Sequence, residues 1–327
     1  MNRTLRMILA ALAAGLLALA IAACGGGEEA GGGGSETTAD AGAAEPIEED
    51  PANNGKSVTI GSKNFTEQFI LGNIYAQALE AAGFDVETEL NLGSEQIAFK
   101  AVQSGQIDGY PEYTGTALTS FFGFKTDDVP SDPNEAYELA KEEYAKEGIT
   151  ALAQAPFDNT YVVTSTVETA EEIGEPTTIS EISELEEASD LSIAGFPECR
   201  QRTDCLLGLE EVYDWTPEFV SSEAQYEAIE SGQADFVFGF GTDGALSTDK
   251  YYTYEDDQNL FPPYHITMSM SYEAVEEIGP EGVDVIERVQ EPMTEEVMRE
   301  LNARVDLDKQ EPEDVATQYL EESGFIE

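Results

Sequence analysis

Basic residues are scarce in this 327-residue chain, where 15 Lys and Arg stand against 67 Asp and Glu for a formal net charge of -52. Such a charge would repel a phosphate backbone rather than steer it, which excludes nucleic acid as a partner. Histidine is scarcer still, with His265 alone in the chain. One imidazole rules out zinc sites built on several histidines and any Ser/His/Asp triad that would need another. Tryptophan occurs once, at Trp215, and reads as a core or rim residue. No nucleophile, metal cluster or cofactor lysine presents itself, so the chain is not read as an enzyme and no cofactor is expected. Acidic pairs could be drawn almost anywhere, and for that reason they point nowhere.

The one long apolar run, Met7 to Ala20, follows Arg3 and Arg6 and ends in small residues, the pattern of a targeting segment. Ile21-Ala22-Ala23-Cys24 resembles the lipobox of bacterial lipoproteins, which implies a signal peptide over 1–23 and lipidation of Cys24. Met7 through Ala23 is also just long enough to span a bilayer. The position of Cys24 and the flexible polar sequence behind it favour the lipoprotein. Residues 24–56 are rich in Gly, Ala and Glu and read as an acidic tether with a reach of about 30 Å. The remaining cysteines, Cys199 and Cys205, form a close pair in an exported chain, which favours a disulfide over a metal site.

What the chain does have is a duplication. Ser104–Leu118, SGQIDGYPEYTGTAL, and Ser231–Leu246, SGQADFVFGFGTDGAL, share a helix-ending SGQxD at a spacing that lays Phe240 over Tyr113. The first copy reads as a turn-rich segment after a helix, able to aim side chains into a cleft. Asp108 and Asp235, matched by the repeat, are expected to close turns, and Tyr110 falls opposite Val237 and reads as packing. Gly239–Gly244 fits GxGxxG, but no helical period follows it to receive a pyrophosphate, so the glycines read as a tight turn.

The order of elements supports two α/β lobes. Val58–Ile60 reads as a strand, Thr66 as the cap of a long helix, Val86–Leu92 as a strand and Ser94 as the cap of a helix through Val102. Asn134–Glu147 is an amphipathic helix, and Pro156-Phe157-Asp158-Asn159 breaks two β-prone runs as a hinge. A second cycle follows, then Leu260–Tyr264 as a return crossing, a strand from His265 to Met270, and three helices packing back on the first lobe. The expected division is lobe I over 57–156 plus 264–327 and lobe II over 157–263. Tyr113, Tyr161 and Tyr264, with Phe240 from the repeat, lie in Gly/Pro/Thr-rich breaks and suggest an aromatic box. Such a box attracts a methylated ammonium, each desolvated ring contributing about 0.5–2 kcal/mol.

GSKNFTEQFILGNIYAQALEAAG, SGQIDGYPEYTGT, NTYVV and GTDGAL together resemble the substrate-binding proteins of osmoprotectant importers of the ABC class. That family captures glycine betaine, choline, carnitine and related quaternary ammonium compounds. The resemblance implies a type II periplasmic-binding-protein fold, two α/β lobes joined by a two-crossing hinge, and a monomeric receptor on the extracytoplasmic face serving a permease with its ATPase. It implies a cage of Tyr113, Tyr161, Phe240 and Tyr264, with phenylalanine at a position where the family usually has tyrosine. It implies carboxylate contacts from Lys63, Thr116 and Arg202, with Arg200 close enough to compete for that role, and Asn159 as a weaker candidate at the hinge. The alternative is a receptor for another cationic or zwitterionic solute, such as an amino acid or a polyamine.

Overall fold

The computed structural model describes residues 44–327. The expected signal segment, Cys24 and the first part of the tether lie outside the described residues. The last part of the expected tether is not free. Ala44 and Ile47 donate backbone N–H bonds to Ser323 and Phe325, and Asn53 is buried with its amide donating to the Ala82 carbonyl at 3.0 Å. Ile47 packs on the core, and Asp50 caps a turn of 3₁₀ helix opened by Pro51. A few apolar and φ-restricted residues thus anchor a segment whose composition alone reads as coil.

Ten strands follow: β1 Ser57–Gly61, β2 Asp85–Glu89, β3 Gly109–Tyr113, β4 Ile149–Asp158 and β5 Tyr161–Thr166 in the first half of the chain. The second half adds β6 Ser192–Gly195, β7 Glu218–Ser221, β8 Phe236–Phe240, β9 Tyr251–Tyr254 and β10 His265–Ser271. They form two five-stranded sheets ordered β2-β1-β3-β10-β4 and β7-β6-β8-β5-β9. In each sheet three strands pair in parallel, and the strand that arrives from the other lobe, β10 or β5, lies antiparallel between them and the edge strand β4 or β9. The expectation of parallel strands therefore holds except at the two crossings.

The duplication is visible in the backbone. β3 and β8 occupy matching places, and Tyr113 and Phe240 end them. Asp108 accepts from the Thr59 N–H at 2.7 Å and Asp235 from the Ser192 N–H at 2.8 Å, so each pins its strand to the parallel neighbour instead of merely closing a turn. The Gly109–Tyr113 stretch, expected as turns, is a buried strand. β1 pairs with it only at Gly109, so the missing N–H of Pro111 breaks no ladder bond on that side.

Other boundaries move for local reasons. β4 continues through Pro156 to Asp158, because β4 is an edge strand with an irregular register against β10. The crossing is thus Asn159–Thr160, later than the expected lobe boundary. Thr66 is the first residue of its helix, not the cap, and its hydroxyl donates to Asp306 at 2.6 Å. That helix, Thr66–Ala81, is buried on most of its circumference beneath the helices Tyr272–Gln290 and Pro312–Glu322. Helix Glu295–Asp306 differs from the expectation by packing on the lobe II turn Gly244–Ser247 as well as on lobe I. A Cβ at Gly244 would come within 2.5 Å of the Ala303 backbone, so only glycine allows that approach.

Candidate functional site

The carboxyl ends of the parallel strands of both sheets face one cleft, the usual place for a ligand in open α/β sheets. A pocket lies there. Its walls include every residue expected to bind: Tyr113, Tyr161, Phe240, Tyr264, Lys63, Thr116, Arg202 and Asn159. Tyr113 and Phe240 close β3 and β8, Tyr161 opens β5, Asn159 lies in the outward crossing and Tyr264 ends the return crossing. Thr116 lies on the helical turn after Tyr113. Gly115 on that turn has a structural reason, since a Cβ there would sit 2.8 Å from both the Pro263 carbonyl and the Tyr264 ring.

The rings form a continuous wall. Tyr161 meets Tyr264 edge-on at 5.5 Å and lies 5.0 Å from Phe240, Phe240 stacks on Phe65 at 5.6 Å, and Phe65 stacks on Tyr113 at 6.1 Å. Phe196 adds a ring 6.3 Å from Phe240. These faces already attract positive charge: the Lys63 ammonium lies 4.2 Å from the Tyr113 centroid and the Arg202 guanidinium 5.5 Å from that of Tyr161.

Each pocket cation carries a buried counter-charge. Lys63 pairs with Glu112, which also accepts from the Tyr110 hydroxyl at 2.9 Å. Burial pulls the Lys63 pKa below its usual value, and Glu112 opposes that only in part. Arg202 grips Asp204 with Nε at 2.8 Å and Nη2 at 2.6 Å, and Nη2 also donates to Thr116 at 3.3 Å. Burial works against both charges, yet their attraction prevails: Arg202 is held well above its usual value and Asp204 below the ordinary carboxylate range. Asp204 further accepts from the Tyr264 hydroxyl at 2.7 Å, tying a lobe II carboxylate to the cage.

Arg202 and Arg200 are now distinguished. Arg202 is 9% exposed and faces the pocket, whereas Arg200 points out, its guanidinium over the Phe219 ring at 4.9 Å. Cys199 and Cys205 are bonded, with Cα atoms 5.4 Å apart, and bracket the loop that carries Arg202 and Asp204. Trp215 is buried and donates to the Ala188 carbonyl, away from the site.

Sequence reasoning missed Phe65, Phe196, Asn64, Glu95 and Glu198, all on the pocket wall. Phe65 and Phe196 were signalled only by being large rings in strand-to-helix loops. Glu95 and Glu198 were lost among 67 acids. Burial, with help from the Glu95 charge, raises the pKa of Glu198. Among the described residues, no cluster of three or more His, Cys, Asp or Glu could hold a metal ion.

Residues 56–322 match the family model described as the substrate binding domain of ABC-type glycine betaine transport systems. The glycine-betaine-binding protein of Pseudomonas aeruginosa is 30% identical over 285 residues, spanning 83% of this chain and 89% of that protein. The carnitine transport binding protein OpuCC of Listeria monocytogenes is 26% identical over 281 residues, spanning 83% of this chain and 88% of its own length. Among solved structures, a glycine betaine/carnitine/choline ABC transporter protein superposes with a TM-score of 0.65 at 24% identity, covering 81% of this chain and 98% of that one. Apo YehZ from Escherichia coli gives a TM-score of 0.59 at 25% identity, covering 82% and 99%.

Proposed function

The chain belongs to the family of substrate-binding domains of ABC-type glycine betaine transport systems, and on that premise we propose that it captures a quaternary ammonium osmoprotectant between its two lobes for import. The single observation that carries this reading is the pocket itself, a wall of rings from both lobes with Lys63 and Arg202 at its edge. A quaternary ammonium donates no N–H bond, so stripping its water costs less than for a lysine-type ammonium, and ring faces suffice to hold it. A ligand carboxylate would join Lys63, Arg202 and Thr116 without displacing Glu112 or Asp204, which already balance the two cations. Choline, which lacks a carboxylate, depends on those residues less.

The closed form is what a permease with its ATPase would recognise, and ligand favours it by differential affinity. The family is a transport component, and the chain itself is assigned no catalysis. Lipidation at Cys24 would hold a monomeric receptor at the extracytoplasmic face. A calorimetric screen of choline, glycine betaine, carnitine and proline betaine tests the reading. At least one should bind, and Tyr113→Ala or Tyr161→Ala should remove most of that affinity. Near-wild-type binding by both variants would refute the cage.

A further inference from the structure

Glu67 sits where lobe I, lobe II and the outward crossing meet, yet it plays no part in the cage as described. Only 2% exposed, it lies on the first turn of helix Thr66–Ala81. Its Oε1 accepts from the Tyr113 hydroxyl at 2.8 Å and lies 2.9 Å from the Asn159 side-chain amide. Its Oε2 lies 2.5 Å from Thr242 Oγ1 and accepts from Asn302 at 3.0 Å. Thr242 Oγ1 is in turn 2.7 Å from the Asn159 side chain.

Hydrogens in this ring can be counted. The Thr242 hydroxyl has one, and the Asn159 amide can be placed either way round. With its nitrogen toward Glu67, Thr242 faces two acceptors, the Asn159 oxygen and Oε2, and has a hydrogen for only one. With the amide turned over, the nitrogen serves Thr242, but its oxygen then meets Oε1 with no hydrogen between them. Both arrangements fall one proton short if Glu67 is ionised. A proton on Glu67 completes the first: Oε2–H donates to Thr242, which passes its own hydrogen to Asn159.

The surroundings agree. Burial raises the pKa of Glu67, and the hydrogen bonds of Thr242, Tyr113, Asn302 and Asn159 oppose this only in part. The other titratable groups about it are Tyr113 from β3, Tyr75 on its own helix, and Asp243 on the lobe II loop, itself pushed up to about 7 mainly by burial. Asp306 on helix Glu295–Asp306 is raised as well, and Arg299 of that helix is committed to the Gly241 carbonyl at 2.7 Å.

We propose that Glu67 is a positioning residue that closes the cleft as a carboxylic acid: bringing Thr242 of lobe II onto it takes up one proton from solvent and locks the Tyr113 ring. The proposal rests on the osmoprotectant reading for its ligand. Opening withdraws Thr242 and admits water, returning Glu67 toward an ordinary carboxylate value of about 4.3. Because the closed-form value is the higher, the contribution to closing is complete below the open-form value and is lost as pH rises through the closed-form value. Across that window affinity should fall with rising pH, by at most about tenfold per unit.

Calorimetry of choline and glycine betaine in buffers of different ionisation enthalpy reads the proton directly, since neither ligand titrates near neutrality. Followed from about pH 5 to about pH 8, wild type should take up protons as ligand binds, most where the open form is ionised and the closed form is not. Glu67→Gln keeps a carbonyl and an N–H in the same shape, and should lose both that uptake and the pH slope. Uptake undiminished in Glu67→Gln would overturn the proposal, as would no uptake by wild type. If wild type binds neither compound, the ligand reading fails alone, and Glu67 is then tested without ligand. As pH falls from about 8 to about 5 the ligand-free wild type should become more compact by X-ray scattering, because closure takes up the proton, while Glu67→Gln should not change; the same response in both, or none in wild type, would overturn the assignment.

Discussion

Asp204→Asn separates the two charge classes of ligand. Asp204 is fully buried and takes Nε and Nη2 of Arg202 at 2.8 and 2.6 Å, along with the Tyr264 hydroxyl. Asparagine keeps the shape and one oxygen but leaves the guanidinium without a counter-charge. Removing one partner of a buried pair costs about 3–5 kcal/mol, and the retained oxygen puts this case near the lower end. That penalty weighs on the closed cleft, so choline should bind about a hundredfold more weakly. Glycine betaine brings its own carboxylate, and a hydrogen bond between charged groups restores about 1.5–3 kcal/mol. The ratio of choline Kd to glycine betaine Kd should therefore rise about tenfold to a hundredfold. Calorimetry of both ligands on both proteins, with ligand-free Tm as the stability control, reads it. A ratio that stays put would show that Arg202 does not face the ligand carboxylate.

Gly115→Ala gains about 0.4–1 kcal/mol in backbone entropy but forces Tyr264 away from its seat, a steric cost of about 1–3 kcal/mol. Tm should fall by several degrees at most while affinity falls severalfold, and unchanged affinity would remove Tyr264 from the cage. Replacing Cys199 and Cys205 together by alanine opens a short loop worth about 2 kcal/mol in chain entropy, a shift of a few degrees in Tm. Because that loop aims Arg202 and Asp204, ligand affinity should suffer more than stability does; equal affinity with and without the bridge would contradict this.

The two-lobed plan was legible because SGQxD recurs before β3 and β8, and an SGQ turn leaves a readable mark in both halves. Strand boundaries were less so, and prolines explain the misses: Pro111 pairs with Met268 on one side but has no partner on the β1 side, and Pro156 lies on an edge strand. The pocket tyrosines drew attention because Gly, Pro and Thr surround them in the sequence, and the structure puts Tyr113 and Tyr161 at strand ends and Tyr264 at the end of the return crossing. Lys63 and Arg202 were found by resemblance, but their partners Glu112 and Asp204 were not, since a buried carboxylate looks like a surface one in sequence. The same blindness hid Glu67, whose burial depends on Thr242 and Asn302, distant in the chain.

A second equivalence between the halves has no trace in the residues and explains how the pocket divides its labour. Ile60 pairs with Gly109 and Ile193 with Phe236, and Gly109 and Phe236 are the first residues of β3 and β8. Ile60 and Ile193 are thus counterparts, and the same step beyond each reaches Lys63 in one lobe and Phe196 in the other. The duplicated frame offers four cleft positions: Lys63 and Tyr113 from the first half, Phe196 and Phe240 from the second. The first pair carries a cation and a hydroxyl, while the second carries rings alone. An ammonium with N–H groups would find no acceptor on those two rings, and each donor left unpaired costs about 1–3 kcal/mol. Under the proposed ligand reading, these two ring positions of the second half favour a quaternary over a primary ammonium. The charge that half lacks at its strand ends comes instead from Arg202, on the loop closed by Cys199 and Cys205, reaching across to Thr116.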